Sequence, residues 1–221
     1  MTPIEIYESF IIKANENAQT DNIAVDKARF SNLYNEASIK FVEWVLEKKN
    51  EDEIRYLAPI LGTKPLERIE QNKTRALFKL PEDFLDLGNV NGTASGGCCT
   101  DVQIELWELK TDNENVILND EDNKPSIEYR EAPYYLAEDK VKVLVDDFEI
   151  SSLELTYYKY PMKIELDDPN DPESGFARED THLEFDPKVI NRIVSIAVAD
   201  YSLNVSSPKF QGDKSRVISK F

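Results

Sequence analysis

Two adjacent thiols, Cys98 and Cys99, close a glycine-rich stretch in the run KLPEDFLDLGNVNGTASGGCCTDVQIELWELK (79–110). Thiolates are strong nucleophiles and soft metal ligands, so the pair invites a redox or metal reading. The spacing argues against it. Neighbouring cysteines bond only through a small strained ring, and no repeated C-x-x-C supplies a tetrahedral ligand set. Two reduced thiols beside a flexible connecting loop are the expectation. His182, the single histidine, would have to partner Cys98, Cys99 or a serine to act as a base in nucleophilic catalysis. No G-x-S-x-G, P-loop or G-x-G-x-x-G accompanies it. The acidic loops NDEDNKPS (119–126) and DDPNDPESG (167–175), the latter with Asp171, offer oxygen ligands suited to a hard cation. Neither follows the spacing of a calcium-binding loop, so both are expected to be solvated turns. Tyr134, Tyr135, Tyr157, Tyr158 and Tyr160 fall in strand-like runs, where they would line a stacking surface or a subunit contact. No catalytic residue, no cofactor and no bound metal is expected, and the chain is not read as an enzyme.

The elements that must carry these residues differ between the ends and the middle of the chain. Near the N-terminus, Ile4, Tyr7, Ile11 and Ala14 recur at helical spacing. A second helix is predicted over DKARFSNLYNEASIKFVEWVLEKK, with Phe30, Leu33, Tyr34, Ala37, Phe41, Trp44 and Val45 in one stripe. Asp26 caps it, and Lys48 and Lys49 suit the negative end of its dipole. EDEIRYLAPIL makes a shorter helix that ends near Pro59. Beyond Pro65 the period changes to two in TRALFKLP, DVQIELWELK, SIEYREAPYYL, KVKVLVDDFEI and SLELTYYKYP, the last two forming an antiparallel hairpin. TDNENVILNDEDNKPS reads as a turn of helix and an acidic turn. FDPKVINRIVSIAVADYSL returns to helix, with Asp186 as cap and Pro187 at the first position. The expected fold is therefore α+β. A helical bundle from residues 1–65 and 186–204 carries a small antiparallel β-subdomain, 66–185, and a basic tail, 205–221.

Charge narrows the function. The 221 residues carry 43 acidic and 26 basic side chains, a formal charge of −17, which opposes binding to nucleic-acid phosphates. No sequence-specific nucleic-acid binding is expected. The first residues lack the basic and apolar regions of a signal peptide, and no apolar run is long enough to span a bilayer, so a soluble, cytoplasmic chain without membrane contact is expected. The tail reverses the balance, with Lys209, Lys214, Arg216 and Lys220 against Asp213 alone, a pattern suited to an acidic partner.

The succession FSNLYNEASIKFVEWVLEKK, FKLPEDFLDL, LNDEDNKPSIEYREAPYYL, VKVLVDDFEISSLELTYYKYP and FDPKVINRIVSIAVADYSLN resembles a family of structural proteins from crAss-like and related tailed phages of Bacteroidales, over roughly residues 25–207. NKPSIEYRE followed by LTYYKYP is its most specific part. The resemblance implies a ring or adaptor protein of a podovirus-type head-to-tail connector, lodged in the neck of the virion and assembled in the host cytoplasm. It implies a homo-oligomeric ring of about twelve copies with heterologous contacts, a portal protein and other tail or ring proteins as partners, and DNA passing through the channel. Under it, Lys209, Phe210, Lys214, Arg216 and Phe221 dock the portal, and Tyr34, Trp44, Tyr134 and Tyr157 anchor neighbouring subunits. The 88–97 loop becomes a flexible tip that orders on assembly. The alternatives are another tail component, such as a tail-tube or hub protein, a non-viral binding module using the tyrosine-rich sheet, and a metal-using enzyme.

Overall fold

The computed structural model describes residues 1–18, 24–97, 99–110, 114–166 and 183–204. The chain divides into two compact units, one of residues 1–60 with 160 onward, the other of residues 61–159. The division falls after Ile60 and Lys159, which places residues 61–65 in the second unit and residues 160–166 and 183–185 in the first.

The first unit holds α1 (Pro3–Ala18), α2 (Lys27–Lys48), the one-turn α3 (Glu51–Ile54), a 3-10 segment over Arg55–Ile60, and the C-terminal helix Pro187–Asn204. Local chemistry sets their ends. Asp26 Oδ1 accepts the Arg29 N–H at 2.7 Å, and Asp186 Oδ1 accepts the Lys188 N–H at 2.8 Å. Lys49 ends α2 in the left-handed region, φ 49°. Both α1 and α2 pack on the C-terminal helix. Their shared core is aromatic: Phe10 lies 5.2 Å from Phe30 and 5.9 Å from Tyr201, ring centre to ring centre. Residues 160–166 run extended beside α2, where Asn35 replaces a missing strand. Its amide donates to Ile164 O at 3.1 Å and accepts from Ile164 N at 2.8 Å.

The second unit overturns the expected architecture. It is not a small antiparallel insertion in a helical bundle but an eight-stranded curled sheet that dominates a mixed α/β fold. Its strands are β1 (Leu61–Pro65), β2 (Arg68–Gln71), β3 (Arg75–Lys79), β4 (Phe84–Gly96), β5 (Cys99–Glu108), β6 (Glu131–Ala137), β7 (Lys140–Leu144) and β8 (Glu149–Lys159), in the order β1-β8-β4-β5-β6-β7-β3-β2. Among the described residues there are five α-helices, including the one-turn α4 (Glu114–Leu118) between β5 and β6 and the C-terminal helix, now α5. Nor is the sheet wholly antiparallel. β5 pairs with β4 as far as Ile104, then runs parallel to β6 from Glu105 to Glu108. A parallel neighbour needs a crossover, and residues 109–130 with α4 supply it. The predicted β7–β8 hairpin is also absent. β7 lies between β3 and β6 while β8 lies between β1 and β4, and the Val145 and Asp147 N–H groups bond to Thr74 O and Lys73 O instead.

The strand order has a geometric consequence. β1 and β2 stand at opposite ends of it, yet only Leu66 and Glu67 separate them in the chain, a reach of roughly 11 Å at ~3.8 Å per residue. The sheet must curl until its edges meet. Side chains seal the seam where main-chain pairing stops. The Gln71 amide donates to Phe148 O at 3.0 Å and accepts from Ile150 N at 3.2 Å, as a peptide group on a neighbouring strand would. Arg68 donates to Ile150 O at 3.0 Å and pairs with Glu149. Inside the barrel lie Phe78, Val90, Ile104, Val141, Ile150, Leu153 and Tyr157, among others.

The 88–97 stretch is neither loop nor tip but most of β4, the longest strand. Its glycines admit close backbone approach. A Cβ on Gly96 would lie 2.8 Å from Phe148 Cβ, and one on Gly88 would lie 2.9 Å from Thr156 O. Gly97, φ +56°, makes the tight turn into β5, which Cys99 opens half-buried.

Candidate functional site

The most developed polar cluster sits on the outer face of the barrel. Side chains alternate along β6 and β7, so Tyr134 and Val143 point inward while Tyr135 and Lys142, paired across the strands, point outward. Glu114 of α4 meets both. Its Oε1 accepts hydrogen bonds from the Tyr135 hydroxyl and from the Lys142 ammonium, and Lys142 also lies 5.4 Å from the centre of the Tyr135 ring. Lys142 is 12% exposed and Glu114 26%. A groove of about 550 Å³ opens beside the cluster, lined by Glu108, Leu109, Lys110, Glu114 and Tyr135 through Glu138.

Burial alone would raise the Glu114 carboxyl. The hydrogen bonds from Lys142 and Tyr135, with the charges of Lys142 and Arg75, outweigh it and hold the group below its ordinary value. Burial would lower Lys142, but its bonds to Glu114 and Tyr135 and the Glu114 charge hold it above. Burial and then the bond to Glu114 raise Tyr135. Every member is thus fixed in its resting charge state. A general base or activated nucleophile needs the opposite, a pKa brought toward the working pH. The cluster clasps the β5–β6 crossover to the sheet.

A second groove, of about 480 Å³, lies at the link between β1 and β2 and the start of β4, lined by Lys64–Glu67 and Lys79–Asp83. At its rim Asp83 accepts the Tyr157 hydroxyl at 2.9 Å, and Phe84 stacks on the Tyr157 ring at 6.0 Å. Burial, then the Asp83 bond and charge, pushes Tyr157 up to about 12.

Three of the four residues expected at subunit contacts lie inside the chain's own cores. Tyr34 is 2% exposed, Tyr134 6% and Tyr157 4%, so their apolar surface is already buried. Burial also raises the Tyr34 hydroxyl, against a smaller opposing effect of Ser38. Trp44 is half-buried, with Lys48 Nζ 4.0 Å from its ring centre and Phe41 at 6.3 Å. Of the five strand tyrosines, Tyr135 is buried as well, Tyr158 is half-buried and Tyr160 is exposed, so they do not share one stacking face. The acidic turn 119–126 closes on itself, Asp120 accepting from Asp122 N and from the Asn123 amide. Among the described residues, no three His, Cys, Asp or Glu side chains gather as a metal site, and no helix is long and apolar enough to cross a membrane. Cys98, His182, the 167–175 loop and the five portal-docking residues Lys209, Phe210, Lys214, Arg216 and Phe221 lie outside the described residues.

The Glu114 clasp escaped sequence reasoning because its three members come from separate elements. The Tyr135–Lys142 pairing follows from the β6–β7 hairpin register, which the short link at Glu138–Asp139 makes inferable. Nothing in the sequence points to Glu114 as the third member. In comparisons with known proteins, no family model matches this chain and no curated protein matches it.

Proposed function

We propose that this chain is a structural subunit of a tailed-phage virion, one copy in the adaptor ring that joins portal to tail in the head-to-tail connector. The supporting observation is the sequence succession over residues 25–207, most specific at NKPSIEYRE and LTYYKYP. Charge agrees with it. Basic side chains such as Lys40, Arg68, Lys124 and Lys142 are engaged with acidic partners in their own unit, and the chain still carries −17. A channel wall of that character repels DNA phosphates and lets the duplex slide. The polar cluster with the closest contacts serves to hold the fold, as a scaffold requires.

Native mass spectrometry of the full chain mixed with the portal protein of the same phage tests the proposal. A discrete complex with many copies per portal ring supports it. Loss of that complex on removing residues 205–221 assigns portal docking to Lys209, Phe210, Lys214, Arg216 and Phe221; retention moves docking to other surfaces. Failure to form any multi-copy complex rejects the adaptor reading.

A further inference from the structure

We infer that Tyr129 is a preformed knob that docks into the Lys64–Asp83 groove of a second copy of this chain, making a head-to-tail contact; this rests on the ring reading above. Among the described residues Tyr129 is the most solvent-exposed of the large hydrophobic side chains, at 80%. Single exposed apolar residues are ordinary on protein surfaces. This one differs in how it is held. Ser126 and Glu131 exchange both main-chain hydrogen bonds, at 2.9 and 3.0 Å, closing a loop of four residues. The Ser126 hydroxyl accepts the Tyr129 N–H at 3.3 Å, and Arg130 turns the chain at φ +59°. Arg130 O accepts Glu105 N at 2.7 Å, and Ile127 packs against the barrel core. The backbone beneath the ring is therefore fixed before any partner arrives. A tyrosine has few torsions left to freeze, so docking it costs little entropy.

The groove offers room and charge. At about 480 Å³ it has space for an aromatic side chain against Pro65, Leu66 and Pro81. Knob and groove carry opposite signs in pairs. Glu128 and Arg130 flank the ring, and Lys64, Lys79, Glu67, Glu82 and Asp83 line the groove, Asp83 already engaged by the Tyr157 hydroxyl. In the contact Glu128 meets the two lysines and Arg130 the carboxylates. Such paired charges fix the register of the contact.

The two features also stand at opposite ends of the same strand. Tyr129 precedes the start of β6; at its far end Ala137 pairs with Lys140, which pairs in turn with Lys79 of the groove. The seven residues of β6 span about 23 Å at ~3.3 Å each. A knob and a socket that far apart on one molecule cannot satisfy each other within it. Between copies they make a heterologous contact, the kind that closes into a ring.

The test mixes equal amounts of nitrogen-15-labelled and unlabelled full chain with the portal protein, then applies a carbodiimide, which joins carboxylates to lysines already in contact. The expected product is a mixed-label peptide pair joining Glu128 to Lys64 or Lys79, reduced about tenfold by Tyr129→Ala, a typical hot-spot loss. A multi-copy complex whose mixed-label links avoid Glu128 would overturn the knob-and-socket contact and leave the adaptor ring standing. Glu128 links found only between same-label peptides would overturn it too. No multi-copy complex would remove the adaptor reading and this contact together.

Discussion

Replacing Glu114 by glutamine tests the clasp on the barrel's outer face. The variant keeps the shape of the side chain and removes its charge. Lys142, only 12% exposed, then faces a neutral amide. A hydrogen bond to a charged group contributes about 1.5–3 kcal/mol, and losing the counter-charge of a nearly buried ammonium costs toward the upper end. Partial exposure of Glu114 pulls the figure back to about 2 kcal/mol, or roughly 4–8 °C in Tm for a chain of this length. Thermal unfolding followed by near-ultraviolet circular dichroism reads this directly, because Tyr135 bonds to the same Glu114 oxygen. The pH dependence separates the clasp from a packing effect. The folded Glu114 carboxyl lies below its ordinary value of 4.5, so its contribution is full above that value and is lost as pH falls through the folded one. Lys142 lies above its ordinary 10.5, so its contribution is full below that value and lost as pH rises through the folded one. The gap between wild type and Glu114→Gln should stay constant from about pH 6 to 9 and shrink below about pH 4. Lys142→Met should cost less in the Glu114→Gln background than alone. A gap of the same size at pH 3 as at pH 7, or no gap at any pH, would refute the reasoning.

Three further perturbations probe the barrel. Gln71→Ala removes both amide bonds across the β2–β8 seam and should cost about 1–3 kcal/mol; hydrogen exchange at the Ile150 amide, read by NMR, should accelerate well before that of the β4–β8 ladder, and unchanged protection would dismiss the seam. Gly96→Ala, with its new methyl 2.8 Å from Phe148 Cβ, should lower the denaturation midpoint by more than Gly97→Ala, which strains only a turn of φ +56° and meets nothing within 4 Å. Equal midpoints would deny the close approach of β4 and the Phe148 segment. The Tyr157 hydroxyl should ionise near pH 12, and Asp83→Asn should bring it down only part of the way, because burial is the larger cause. Ultraviolet difference titration against Tyr157→Phe isolates that one phenol, and a full return to the ordinary value would assign the shift to Asp83 instead.

The helices were legible where local chemistry marked them. Asp26 before the Phe30–Val45 stripe, and Asp186 with Pro187, placed α2 and α5 because caps and period act within a few residues. The sheet was harder to see. In sequence β4 reads as a loop because its inward positions are Val90, Gly92 and Ala94, too small to register as an apolar alternation, while Asn89, Asn91, Thr93 and Ser95 face outward. Close packing, not flexibility, selected those glycines. β1 and β2 escaped for a different reason: LGTKP and RIEQ are edge segments, exposed on most positions, and carry almost no burial signal. The false β7–β8 hairpin followed from a short link, a rule that tertiary pairing with β3 overrode. The tyrosines were recognised as strand residues, but period two does not say which face is inside. Only the curl of the sheet decides that.

The strand order also bears on when the protein can fold. β1, the first strand made, pairs only with β8, the last, and α1 packs on α5 at the opposite end of the chain. The barrel cannot close until β8 has been made, and the helical unit waits longer still, for α5, on a ribosome that adds about 5–20 residues per second. Contacts this distant in sequence also form slowly once the chain is free. The nascent polypeptide therefore carries each unit open in turn, the barrel until β8 and the helical unit until α5. Each unit is closed by the element of it that is made last.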